Sequence, residues 1–124
     1  MAKPKVAFFD FACCEGCQLQ VANFGEALLD VLDKIQVVEF REVMSEKWDK
    51  DIDVAIIEGS ITTEHAVERI KQIRARSGAL IAYGSCAAIG GINGMKNNFN
   101  LEEISQYVYK IGRASCRERV SVVV

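Results

Sequence analysis

Three of the five cysteines in this chain, Cys13, Cys14 and Cys17, fall within five positions. No other feature limits so strongly what the chain can fold into. They stand where an apolar run, Lys5 to Asp10, gives way to a helical pattern that starts near Cys17. A Cys-x-x-Cys pair at a strand-to-helix turn is a chelating geometry. Two thiolates a few residues apart reach one metal or cluster, and the helix start directs backbone N–H groups at their negative charge. Cys86 belongs to a second such feature, Tyr83-Gly84-Ser85-Cys86-Ala87-Ala88-Ile89-Gly90-Gly91, which also follows an apolar strand, Ala79 to Tyr83. In a parallel sheet both segments land on the carboxyl edge, where open α/β sheets build their sites.

A chain of 124 residues, half of them apolar, has room for one domain with a genuine core and no need of disulfides. A net charge of −2 gives no case for nucleic acid or an anionic membrane surface as partner. No apolar run approaches the length of a membrane span. The start, Met1-Ala2-Lys3-Pro4-Lys5, lacks the apolar core of a signal peptide. The expectation is a cytoplasmic, reducing location, in which the cysteines serve as metal or redox ligands.

Val6 to Phe9 is unbroken rather than alternating, as suits a central parallel strand covered on both faces. A helix is expected over Cys17 to Asp33, with an apolar face wider than one sheet needs, so that part of it could meet a partner. Ile35 to Phe40 and Asp53 to Ile57 read as strands two and three. The polar segment Val43 to Lys50 connects them, and Trp48 in it serves as a lid on the core edge. Thr62 or Thr63 offers an N-cap for a second helix, with Ala66, Val67, Ile70 and Ile73 inward. His65, Arg69, Gln72 and Arg76 share its outer face, and Gly78 ends it; His65, the only histidine, reads as solvated surface. A glycine-rich loop follows Cys86, and Leu101 to Lys110 looks helical. The order β-α-β-β-α-β-α fits an α/β fold, a flavodoxin-like doubly wound parallel sheet.

A Cys-x-x-Cys pair alone serves zinc, a redox dithiol or an iron–sulfur cluster. Cys86 could be a small buried apolar residue, but its glycine-flanked setting suits close backbone approach. Glu58, at the end of strand three, is a third group on the same edge, either at the site or as an anchor for a loop or helix start. The few nitrogen ligands and the apolar flanks favour thiolate-only, iron–sulfur chemistry over a catalytic zinc.

Taken together, Cys14-Glu15-Gly16-Cys17-Gln18-Leu19, Ile57-Glu58-Gly59-Ser60 and Gly84-Ser85-Cys86-Ala87-Ala88-Ile89-Gly90-Gly91 resemble the small subunit of nickel–iron hydrogenases. The similarity is greatest to the short cytoplasmic type found in sulfhydrogenases and F420-non-reducing hydrogenases. The wider family includes the corresponding cluster-bearing subunit of respiratory NADH dehydrogenase. Over residues 5–110 the resemblance implies a flavodoxin-like domain that holds a proximal [4Fe–4S] cluster. Its partners would be a large subunit carrying the nickel–iron centre and further electron-transfer subunits. Cys14, Cys17 and Cys86 match ligand positions, and Glu58 matches an acidic position near the cluster. The tandem Cys13-Cys14 departs from the hydrogenase pattern; the Glu-Gly-Cys-Gln-Leu context selects Cys14 and Cys17 and leaves Cys13 spare.

The family's fourth ligand lies in a Gly-Cys-Pro motif that this sequence lacks. From Ile111 onward the text changes character, and residues 111–124 read as a non-native tail on a fold incomplete at its C-terminus. On that reading Cys116, in Ala-Ser-Cys-Arg-Glu, is not the fourth ligand. The functional expectation is an electron-transfer subunit of a hydrogenase-like oxidoreductase, not catalytic alone. The alternatives are a cluster subunit of an NADH dehydrogenase-type complex, a thiol–disulfide oxidoreductase using Cys14 and Cys17, and a flavodoxin-like small-ligand module.

Overall fold

Four parallel strands form one sheet in the order β2-β1-β3-β4: β1 (Lys5–Asp10), β2 (Gln36–Glu39), β3 (Ile52–Glu58) and β4 (Ser77–Tyr83). The computed structural model describes residues 2–109; residues 110–124, including Cys116 and the expected tail, lie outside the described part. Helices α1 (Gly16–Ala22) and α2 (Glu26–Leu32) join β1 to β2, and α3 (Glu64–Ala75) joins β3 to β4. Beyond β4 come α4 (Ser85–Ile89), α5 (Gly91–Gly94), a 3-10 turn (Met95–Asn98) and α6 (Leu101–Tyr109). This is the expected doubly wound, flavodoxin-like α/β arrangement.

Side-chain parity along the strands assigns the two faces. On β1, Ala7 and Phe9 pack with Val38, Ala55, Ile57, Ile70 and Ile73 on the α3 side. Val6 and Phe8 pack with Phe40, Val21 and Ala22 on the α1 side, where Phe8 and Phe40 stack at 4.3 Å. β1 and β3 are thus clad on both faces, which explains their uninterrupted apolar text. β4 is different. Ala79 and Ile81, in register with Val54 and Ile56 of β3, are exposed on the α1 side.

Three local expectations are corrected. The single helix over Cys17 to Asp33 is two helices, broken at Asn23-Phe24-Gly25, where Gly25 turns the chain with φ 60°. None of the residues of α2 is buried, so its apolar stripe is bare. Gly78 does not end α3; β4 already begins at Ser77, and a Cβ on Gly78 would stand 3.0 Å from the Asp53 carbonyl oxygen of the neighbouring strand. Third, Arg69 and Arg76 do not simply face water. Arg69 lies over the Phe11 ring at 4.8 Å and donates to the Asp10 carbonyl at 2.7 Å, its stem covering apolar surface. Thr63 does cap α3, its hydroxyl oxygen accepting from the Ala66 N–H at 3.0 Å, and His65 is exposed as expected.

The link from β2 to β3 crosses β1 without a helix. Trp48 takes the helix's place, packing against the α3-side core. Its N–H is accepted by Glu39, its indole donates to the Asp51 carbonyl at 3.2 Å, and Arg76 ties down the carbonyls of Trp48 and Lys50. Trp48→Ala should therefore cost about 2 kcal/mol, roughly half the value for a fully buried tryptophan. Chemical denaturation checks this; a loss below about 0.5 kcal/mol, the size of an ordinary surface substitution, would show that the coil is not packed on the core.

Candidate metal centre

The parity that assigns Val54 and Ile56 to the α1 side also sends Glu58 there, at the very end of β3. Glu58 is 2% exposed. Its two carboxyl oxygens accept the backbone N–H groups of Cys17 and Gln18, each at 3.1 Å. These are donors of the first turn of α1, left over because a helix start has no intrahelical acceptors for them. The sequence suggested that this helix start would point its N–H groups at the metal site. Instead two of them belong to Glu58, and Glu58 is what fixes the position of Cys17.

The loop that delivers the cysteines is anchored at both sides. Phe11 N–H donates to the Glu58 carbonyl at 2.8 Å, and Ala12 and Ser60 exchange backbone hydrogen bonds at 3.1 and 2.9 Å. Glu15, at φ 62°, is the only non-glycine residue with positive φ among the described residues. This left-handed turn, costly for a residue with a Cβ, reverses the chain between Cys14 and Cys17. Cys14 is exposed, while Cys13, Cys17 and Cys86 are partly buried.

Cys86 arrives from β4. Gly84 closely precedes it with φ 84°, and a Cβ there would stand 2.5 Å from the Cys17 sulfur. Only glycine leaves space for that sulfur against the end of β4. Cys17 therefore meets the Cys86 turn directly, although 69 positions separate the two in sequence (86 − 17). Burial, foremost, pushes the Cys17 thiol up. The charge of Glu58 and its hydrogen bond to the thiol add to this, as do the neighbouring Cys14 and Cys86. Cys13 is pushed to about 11, again mainly by burial, with a backbone hydrogen bond at Glu15 opposing; its charged neighbours are Glu58, Glu15 and Asp10. Cys17 thus senses both Cys14 and Cys86, and Cys13 lies near carboxylates.

Among the described residues, no three Cys, His, Asp or Glu side chains close on a single metal ion. A tetrahedral zinc draws its ligands to about 2.3 Å from one point, whereas a cluster of several irons takes each thiolate on a different iron. Sequence reasoning missed Gln18. Its side chain is 1% exposed, and neither amide atom has a hydrogen-bond partner among the described residues. A buried unpaired carboxamide costs about 1–3 kcal/mol per group. Its position immediately after Cys17 was the one signal available.

The family described as NADH ubiquinone oxidoreductase, 20 Kd subunit, matches residues 14–123. The chain belongs to that family. The matched span takes in most of segment 111–124. Among curated relatives, a subunit of the vhu F420-non-reducing hydrogenase of Methanocaldococcus jannaschii is 36% identical over 107 residues, covering 85% of this chain and 37% of that protein. Sulfhydrogenase 2 subunit delta of Pyrococcus furiosus is 34% identical over 109 residues, covering 88% of this chain and 45% of that protein. The iron-sulfur subunit of the F420-non-reducing hydrogenase of Archaeoglobus profundus is 29% identical, covering 85% and 35%. The chain thus spans less than half the length of each of these three relatives. A chain in the crystal structure of an NAD+-reducing [NiFe]-hydrogenase in the H2-reduced state superposes with TM-score 0.76 at 24% identity, over 98% of this chain and 68% of that one. The superposition agrees with the α/β fold, and the family match agrees with the resemblance read from the three motifs.

The thiols should differ in reactivity. At pH 8 Cys13, pushed to about 11, stays protonated and should be alkylated by iodoacetamide far more slowly than the exposed Cys14. Its rate should keep rising with pH toward 11, since the thiolate is the nucleophile. Peptide mapping of a timed alkylation series measures this; equal rates for Cys13 and Cys14 at pH 8 would contradict the burial of Cys13.

Proposed function

We propose that the chain is the electron-transfer small subunit of a hydrogenase-type oxidoreductase, with Cys14, Cys17 and Cys86 holding a [4Fe–4S] cluster beside a large subunit that carries a nickel–iron centre. The observation that carries this reading is the meeting of Cys17 with the Gly84–Cys86 turn, which joins the ends of β1 and β4 at one thiol-rich corner. A cluster bound there would take up and release single electrons. The chain's own residues position and tune. Glu58 pins the first turn of α1 and with it Cys17. The missing Cβ of Gly84 leaves space for the Cys17 sulfur. Because the Cys17 thiol is pushed up, ligation must displace its proton, so iron affinity should rise with pH.

The apolar side chains that follow Cys86 support a partner. Ile89 is 73% and Ile92 82% exposed, and Met95 and Phe99 also lie open, as do Leu29 and Val31 on α2. Apolar groups gathered beside a redox centre mark an interface, and the large subunit is the proposed occupant. A cytoplasmic location belongs to the same proposal; among the described residues no helix is long and apolar enough to cross a membrane. A thiol–disulfide oxidoreductase using Cys14 and Cys17 would give the Cys86 turn, which meets the Cys17 sulfur, no part in the chemistry. The NADH dehydrogenase-type alternative shares the cluster and differs in the partner.

Single substitutions to serine test the ligand set. After anaerobic reconstitution, Cys14→Ser, Cys17→Ser and Cys86→Ser should each lose most of the iron and sulfide retained by the parent chain, and Cys13→Ser should lose little. We further propose that residues 111–124 are a non-native tail, so Cys116→Ser should behave like Cys13→Ser. Iron and sulfide analysis after gel filtration reads the outcome. Full retention by Cys86→Ser would remove the cluster reading, and a large loss from Cys116→Ser would make Cys116 a native ligand.

A further inference from the structure

Between the two cysteine-bearing segments lies a chain of polar groups that no motif predicted. Ser60, 2% exposed, follows Glu58 by two residues at the end of β3. Its hydroxyl stands 3.0 Å from the Cys86 carbonyl oxygen and 2.9 Å from the Gly90 carbonyl oxygen. The one hydroxyl hydrogen is shared between the two acceptors or donated to either, so Ser60 ties the end of β3 to α4 at Cys86 and at the Gly90 cap. The Asn93 carboxamide donates at 2.8 Å to the Ala12 carbonyl and at 3.4 Å to the Ser60 hydroxyl oxygen. The backbone of Ser60 is itself paired with Ala12 in both directions. The connection therefore runs from Ala12, two residues before Cys14, through Asn93 and Ser60 to the carbonyl of Cys86.

Among the described residues, no other hydrogen bond links the Ala12–Cys17 loop to α4 and α5. Glu58 fixes Cys17 against β3, and both its carboxyl oxygens are turned to α1 rather than to the Cys86 side. α4 has only five residues and α5 only four, too short to hold a position by helix formation alone. Linked hydrogen bonds in a buried setting reinforce one another and select one arrangement. We propose that Ser60 and Asn93 are positioning residues: a polar latch that sets the spacing between Cys14 and Cys17 on one side and Cys86 on the other. The latch rests on the cluster reading for its purpose but not for its geometry.

The experiment uses the full chain in two states. In the metal-free state, dibromobimane, which becomes strongly fluorescent when it bridges two nearby thiols, reports the spacing, and mass mapping identifies the bridged pair. Cys86 should be bridged to Cys17 or Cys14 in the parent chain. Ser60→Ala and Asn93→Leu should each lower that bridging rate about fivefold, the effect of one lost hydrogen bond. Alkylation of Cys14 alone should not change. Ser77→Ala is the control, because it removes another buried hydroxyl that donates to a backbone carbonyl, Ile73 at 2.6 Å, away from the cysteines; it should leave bridging at the parent rate. In the reconstituted state, the two latch variants should surrender iron to a chelator about fivefold faster than the parent, with Ser77→Ala again unchanged. Unchanged bridging in both latch variants, or an equal fall in Ser77→Ala, overturns the latch. A parent chain that binds no iron overturns the cluster reading instead, and the bridging rates still decide the latch.

Discussion

The two hydrogen bonds that Glu58 accepts from the Cys17 and Gln18 N–H groups are the constraint on which the site depends. A carboxyl group that is 2% exposed is expensive to bury without partners. Two backbone donors offset that cost and convert it into position, since they exist only if α1 starts at one place over the end of β3. The sheet supplies the other half. Parity along β3 decides that Glu58 lies on the α1 side, and the register of β3 with β4 brings Tyr83, and so Gly84, level with Glu58. Cys17 meets the Cys86 turn because the carboxylate at the end of β3 locks the start of α1, while the register of β3 with β4 places Gly84 beside it.

The same layout leaves surface uncovered. β4 is the last strand in the sheet among the described residues, with Ile81 open on one face, and no residue of α2 is fully buried. Parallel sheets are normally covered on both faces, and these are the surfaces left open among the described residues. The segment from Ile89 to Phe99 is open in another way, exposing Ile89, Ile92, Met95 and Phe99 from short pieces of regular structure that follow Cys86.

Much of this was legible in the sequence, for identifiable reasons. β1 and β3 announced themselves because a strand covered on both faces cannot alternate, and the pair Thr62-Thr63 announced α3 because a hydroxyl before an amphipathic run satisfies orphan N–H groups; the structure gives the cap to Thr63. The three motifs named candidate residues, and the structure brings Cys17 against the turn that carries Cys86. What the sequence hid were matters of partner, not of identity. The segment from Cys17 to Asp33 keeps one wide apolar face with polar residues at helical spacing, so the break at Gly25 was overridden by pattern. Arg69 reads as a solvent-facing helix position, and its length lets it fold back onto Phe11 and Asp10. Ser60 and Asn93 are ordinary polar residues, and nothing local reveals that they meet across the ends of β3 and α5. Gln18 drew no assignment of its own from the sequence, yet it is buried with its amide unpaired among the described residues.

The central claim is that the Cys14, Cys17 and Cys86 corner is built for a cluster of several irons. Iron K-edge X-ray absorption on the anaerobically reconstituted chain tests it most directly. The account predicts a first shell dominated by sulfur and a short iron–iron vector, both lost in the Cys17→Ser, Cys86→Ser double variant. An iron shell of nitrogen and oxygen with no iron–iron vector, or a spectrum indifferent to those substitutions, would contradict it.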